Sequence, residues 1–300
     1  MVASHQVRAE EEGIVAASTP TVTIERIDHG VVPSSDLGRA FRFWGSFMGR
    51  LEHFANLNIR GLNREVPEMF FYSVANHHGF GVALQDYPVP SSPSRDQEGV
   101  VWGFEVAADD LAGVRQAAEG RQIRVVGAAT YPASSPVAES LFILDPDGNT
   151  IELCVCRDPW HAAPQEGPVV PLRRISHVRA EVTDLDLGAQ WYSDTFGLIQ
   201  DDEVPGADQV TLTVPRTRQY IILRKVDRVA ERSTRWVKGP HMDFRIAAEH
   251  YPTILERFDR REFYWGQDPT AIPWHEPDPQ TVYGYDPFGN RIQIGAVRGS

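Results

Sequence analysis

Three hundred residues, 42% of them hydrophobic, are enough for two domains of ordinary size. A net charge of −12 and a pI near 5.3 exclude the broad basic surface that nucleic acid or an anionic membrane would need. No apolar run reaches the length of a membrane-spanning helix, so neither nucleic acid nor membrane is an expected partner.

Residues 1–20, MVASHQVRAEEEGIVAASTP, are acidic where a secretory signal is basic and then apolar. They read as a disordered leader to a cytoplasmic protein. TVTIERIDHGVV (21–32) reads as a strand and DLGRAFRFWGSFMG (36–49) as a helix, with Phe41, Trp44, Phe47 and Met48 recurring at three- and four-residue steps. Asp36 stands where a carboxylate caps a helix, and Gly49 where a left-handed residue closes one. MFFYSVANHHGFGVALQDY (69–87) reads as two strands about a turn, and the Pro/Ser-rich PVPSSPSRDQEG (88–99) as a connector. A strand and a helix follow in VVWGFEVAADDLAGVRQAAEG (100–120), then a hairpin in FILDPDGNTIELC (142–154). The two cysteines, Cys154 and Cys156, share a face of its last strand. They read as buried thiols, because a disulfide at that spacing is strained.

After the Pro-rich stretch around 159–171, which reads as a linker, the pattern starts again. LRRISHVRAEV (172–182) repeats the first strand and DLDLGAQWYSDTFG (184–197) the first helix, with Leu187, Trp191 and Phe196 as its apolar positions. His177 aligns with His29 and Gly197 with Gly49, each 148 residues on, and Trp44 falls near Tyr192. VTLTVPRTRQYIILRKV (210–226) reads as two strands, and PHMDFRIAAEHYPTILERF (240–258) as a strand and a helix. VYGYDPFGNRIQIG (282–295) repeats the Asp-Pro-x-Gly-Asn hairpin, with Gln293 where the first copy has Glu152.

The expected fold class is therefore α+β, with four βαβββ modules. One such unit cannot cover both faces of its sheet, so units pair into cupped surfaces. Chain order suggests that neighbours pair, giving one domain over 21–158 and a second over 172–296. Groups on first and last strands then converge in each cup.

These residues resemble the vicinal oxygen chelate superfamily, which includes glyoxalases, bleomycin- and fosfomycin-resistance proteins and type I extradiol ring-cleaving dioxygenases. The Asp-Pro-x-Gly-Asn hairpin before the last strand is the most specific mark, and the likeness runs over residues 22–295. Four modules in two domains are most similar to the extradiol dioxygenases. That resemblance implies an oxidoreductase using Fe(II), with Mn(II) or another divalent metal as the alternative. It also implies a small, catechol-like aromatic substrate and dioxygen, and leaves a homo-oligomer open.

Carried onto this sequence, the resemblance makes His177, His241 and Gln293 the metal ligands, with His29 and Glu152 as the alternative pair. It makes His275 and Tyr283 the residues beside the substrate that move protons, and places His78 and Gln219 near the acid–base position; Asp243, two residues after His241 and so on the same strand face, is a candidate for the missing carboxylate. Gln293 departs from the usual glutamate and Gln219 from the usual acid–base histidine. In the first half, Val101 stands at a ligand position and Phe142 at that of the tyrosine. His77 and His78 equally fit an ordinary turn. Trp265 and Trp274 suit an aromatic substrate or simple packing. Two readings from other classes share the scaffold: a metal-free binding or resistance protein, and a glyoxalase-like isomerase or lyase.

Overall fold

In the computed structural model, described residues are 22–55, 69–75, 78–84, 100–164, 166–201, 208–229, 241–259, 276–277 and 280–297. They form four βαβββ modules, as the sequence suggests. The first holds β1 (Ile24–Ser34), α1 (Leu37–Phe43), a π turn (Trp44–Met48), β2 (Arg50–Ala55), β3 (Met69–Ala75) and β4 (His78–Leu84). The second holds β5 (Val101–Glu105), α2 (Ala108–Gly120), β6 (Val125–Thr130), β7 (Val137–Leu144) and β8 (Thr150–Cys156). The third holds β9 (Arg174–Val182), α3 (Leu185–Phe196), β10 (Ile199–Gln200), β11 (Gln209–Thr213) and β12 (Tyr220–Lys225). The fourth holds β13 (His241–Ala247), α4 (Tyr251–Asp259), β14 (Glu276–Pro277), β15 (Gln280–Tyr285) and β16 (Arg291–Val297). Among the described residues no helix is long and apolar enough to cross a membrane.

The modules pair two by two into two eight-stranded sheets, but the partners are not neighbours in the chain. Sheet A joins the first module to the fourth, in the order β14-β15-β16-β13-β1-β4-β3-β2. Sheet B joins the second to the third, in the order β10-β11-β12-β9-β5-β8-β7-β6. The sheets thus cross the expected division at the linker. The repeat makes the first strands equivalent, and either partnering satisfies the same alternation of side chains. Local pattern cannot choose between them. β5 pairs antiparallel with β9, and β1 pairs with β13 in the same way.

Helix starts follow the sequence closely. The Asp36 carboxylate accepts from the Arg39 amide at 3.0 Å and Asp184 from Leu187 at 3.0 Å. Gly197 closes α3 in the left-handed region at φ 63°. Gly49 differs: its backbone is extended at φ −154°, since the helix ends in the π turn instead. Phe41 and Leu187, expected in the core, are exposed; the core faces are Leu37, Ala40 and Phe43 on α1, and Ala189, Tyr192 and Phe196 on α3. Trp44 stacks on Phe80 at 4.6 Å, and Phe80 meets Phe104 at 5.2 Å, so aromatics of the first two modules fuse both sheets into one core. Cys154 and Cys156 are buried free thiols, as expected.

The twin hairpins staple one sheet to the other. Asp145 accepts from the Asp147 and Asn149 amides, both at 2.9 Å, while Asn149 Nδ2 donates to the Pro33 carbonyl of β1 at 2.9 Å. The Trp44 indole also donates to Asp145, at 3.3 Å. In the second copy Asp286 accepts from the Phe288 and Asn290 amides, Asn290 donates to the Glu181 carbonyl of β9 at 3.0 Å, and the Tyr192 hydroxyl donates to Asp286 at 2.9 Å. Gly148 and Gly289 both sit at φ 87°, which only glycine takes without strain. The motif is therefore a docking device in both copies, whatever follows it. Asn290→Ala would orphan the buried Glu181 carbonyl, so we expect a loss of about 1–3 kcal/mol in stability, read as a lower urea midpoint with an unchanged slope.

Candidate metal centre

β1 meets β13 with His29 opposite Asp243 and Val31 opposite His241, which puts all four side chains on one face of sheet A. β16 adds Gln293, paired with Asp243, and β15 adds Tyr283, paired with Gln293. His29, His241, Gln293 and Tyr283 are all buried, and Asp243 wholly so. The two imidazoles aim at each other: His29 Nε2 and His241 Nε2 lie 3.4 Å apart. Two nitrogens on one tetrahedral metal, at the usual bond length near 2.05 Å, stand about 3.3 Å apart. The separation therefore fits two ligands of a shared ion.

The register slips by one residue between Ile27 and His29, a β-bulge centred on Asp28. The slip turns Asp28 toward the same face as its neighbour His29. Asp28 Oδ2 then lies 3.3 Å from His29 Nδ1, and Asp243 Oδ1 lies 3.9 Å from it. This trio alone among the described residues groups three acidic, His or Cys side chains closely enough to suggest a metal site. Its carboxylates are already neutralised, though. Arg26 holds Asp28 at 2.7 Å, and Arg245 reaches Asp28 at 3.1 Å and Asp243 at 3.0 Å. A divalent ion among them would face two guanidinium groups. The Asp28 carboxylate is better placed to hold the Nδ1–H of His29, which frees Nε2 to ligate on the other side.

Burial opposes ionisation of Asp28, but His29, Arg245 and Arg26 together keep its carboxyl well below the usual range. Burial pushes Asp243 up, against the pull of Arg245. Arg245 fits because Gly295 has no side chain: a Cβ there would lie 2.0 Å from the guanidinium. Beside the imidazoles, Val31, Met69, Ala83 and Phe71 form a separate apolar patch, and the Phe71 ring meets His29 edge-on at 5.6 Å. Tyr283 meets His241 edge-on at 5.4 Å, with the Arg291 guanidinium 5.5 Å from its ring.

The expected ligands are thus redistributed. His241 and Gln293 stand together, but their histidine partner is His29. His177 and Glu152 lie on sheet B, where His177 Nε2 is 3.0 Å from Glu152 Oε2. Arg179 donates to the same carboxylate from Nε at 2.6 Å and from Nη2 at 3.0 Å, and the Ser140 hydroxyl donates to it at 2.5 Å. Burial opposes ionisation of Glu152, yet Arg179 and His177 hold it well below the ordinary range, and burial itself lowers His177. Sheet B therefore holds a satisfied ion-pair network.

Gln219 spends its side-chain amide on backbone. Its amide nitrogen donates to the carbonyls of Ile27 at 2.9 Å and Ile175 at 2.8 Å, and its oxygen accepts from the Ile27 amide at 2.9 Å. It satisfies the backbone that the bulges of β1 and β9 leave unpaired, and so ties the two first strands together. His78 opens β4, half-buried, one residue before Gly79, which pairs with His29. His275, His77, Trp265 and Trp274 lie outside the described residues, as does the leader.

Two expectations follow. His29→Ala or His241→Ala lowers affinity for a divalent metal at least 100-fold in a calorimetric titration, while His177→Ala leaves it within about threefold. Glu152→Gln strands the Arg179 charge and costs about 3–5 kcal/mol of stability. In the unsubstituted protein Glu152 and His177 are both depressed on folding, so the unfolded chain takes up protons that the folded site refuses. Unfolding free energy measured against pH then falls as pH drops below 6.5, the ordinary His value, and again below 4.5, the ordinary Glu value.

No family profile matches the chain, and no curated protein matches it by sequence. Solved structures do match. A Bacillus subtilis protein described provisionally as a dioxygenase superposes with a TM-score of 0.68 at 12% identity, over 92% of this chain and 86% of that one. A single-residue variant of glyoxalase I from Zea mays gives 0.60 at 15% identity, over 90% and 92%. Glyoxalase I itself from the same plant gives 0.58 at 14% identity, over 90% and 92%. Across almost its whole length, then, this chain has the vicinal oxygen chelate fold.

Proposed function

We propose that the chain is a metal-dependent enzyme that cleaves the ring of a catechol-like substrate with dioxygen, outside the two hydroxyls, using a centre held by His29, His241 and Gln293. The convergence of two Nε2 atoms at 3.4 Å, beside an apolar patch and a tyrosine, carries this reading. The likeness to the B. subtilis protein described as a dioxygenase supports it. Imidazole and amide-oxygen donors suit Fe(II), with Mn(II) as the alternative, and such an ion would supply binding of two vicinal oxygens and activation of dioxygen.

The protein's own groups would do the rest. Asp28 would fix the tautomer of His29. Phe71, Val31 and Met69 hold the apolar edge of a ring and exclude water from it. Tyr283, on the same face as Gln293, exchanges a proton with a substrate hydroxyl.

Gln293 favours a second reading. With only imidazole and amide ligands, the ligand set lacks the anion that a glutamate would supply, which suits isomerase or lyase chemistry without dioxygen. A metal-free binding protein is the third outcome. Fe(II)-loaded protein mixed with catechol should take up one dioxygen per ring and form a yellow ring-fission product. Tyr283→Phe should slow this about 100-fold while retaining the metal. Metal-loaded protein that turns over vicinal-oxygen substrates without consuming dioxygen supports the second reading. Protein that binds an aromatic tightly but no metal contradicts both enzymatic readings.

A further inference from the structure

The two sheets can be compared residue by residue through their registers. In sheet A, His29 pairs with Asp243, Val31 with His241, and Asp243 with Gln293. In sheet B, the same places hold His177 paired with Gly103, Arg179 with Val101, and Gly103 with Glu152. Both first strands slip by one residue just before the histidine, so Ser176 touches His177 Nδ1 at 2.9 Å where Asp28 touches His29. Sheet B thus keeps one histidine and gains a carboxylate, but has valine for the second histidine and an arginine where sheet A has Val31.

That arginine fills the centre. Its Nε and Nη2 grip both oxygens of Glu152 at 2.6 and 3.0 Å, and Nη2 also meets the Tyr131 hydroxyl at 3.1 Å. The His177 ring lies directly over Gly103, where a Cβ would stand 2.1 Å from a ring carbon, and it points Nε2 at the same carboxylate. His177 and Glu152 are wholly buried. A carboxylate and an imidazole converge on one point, and the cation at that point is covalently part of the chain.

We propose that the Arg179 guanidinium takes the place of a divalent cation in sheet B. This makes sheet B a metal-independent structural twin and leaves one metal centre per chain, in sheet A. The substitution is electrostatically complete: one positive charge, delivered through a planar fork, matches one carboxylate, and neither needs an ion from solution. The count of one centre per chain rests on the reading of sheet A proposed above; the role of Arg179 does not.

The test exchanges the residues that differ between the sheets. In a His29→Ala/His241→Ala background, which silences sheet A, Co(II) alone should not bind tightly. Adding Arg179→Val and Val101→His should create binding of one Co(II) per chain with visible d–d bands, at least 100-fold tighter than the background. A further Glu152→Gln should weaken it at least tenfold. A cooperatively unfolding variant that binds Co(II) no better than the background overturns the proposal. So does a background protein that binds one Co(II) through Glu152 with Arg179 intact. If the fourfold variant does not fold, Arg179→Ala alone decides: millimolar Co(II) or guanidinium should raise its melting temperature more than that of the unsubstituted protein. Equal shifts in the two proteins overturn the proposal.

Discussion

The antiparallel pairing of β1 with β13 is the constraint on which the rest depends. It brings His29 and His241 together from positions more than two hundred residues apart in the chain. The one-residue slip at Asp28 then decides what surrounds them. Without the bulge, Asp28 would face away from His29; with it, the Asp28 carboxylate stands at Nδ1 of His29, and Arg26 and Arg245 neutralise it. A bulge leaves backbone groups unpaired, and Gln219 from the third module supplies the missing hydrogen bonds. Geometry of the site and cohesion between the sheets thus share one defect in one strand.

The sheets are bound twice over, by different parts of each module. First strands join the first module to the fourth and the second to the third, while the Asp-Pro-x-Gly-Asn hairpins dock the second on the first and the fourth on the third. Each module therefore has one partner within its sheet and another across the core. Such closure explains how two cups can diverge in chemistry while keeping the same scaffold: the hairpins and first strands hold the frame, and only inward-facing residues change.

Much of this was legible in the sequence. The 148-residue repeat, the capping aspartates and the paired hairpins yield four βαβββ modules and their equivalent positions. His29, His241, Gln293, Tyr283 and Asp243 stand out as candidates, and all five share one face. Their grouping was not legible, because a repeated pattern tells which strands are alike and not which copies exchange hydrogen bonds. Asp28 was hidden by the rule that adjacent strand residues face opposite ways. Arg179 did leave a signal: a charge on a buried strand where the repeat has Val31. Gln219 stands at the position of an acid–base histidine in the family pattern, yet its four hydrogen bonds go to backbone and to the Thr217 hydroxyl.

The central claim is that one ion sits between imidazoles contributed by the first and last modules. Anomalous diffraction at the absorption edge of the bound metal tests it most directly. The account predicts a single peak per chain, within bonding distance of Nε2 of both His29 and His241 and on the side away from Asp28. A peak among Asp28, Asp243 and His29 Nδ1, or one beside Glu152 and His177, would contradict it.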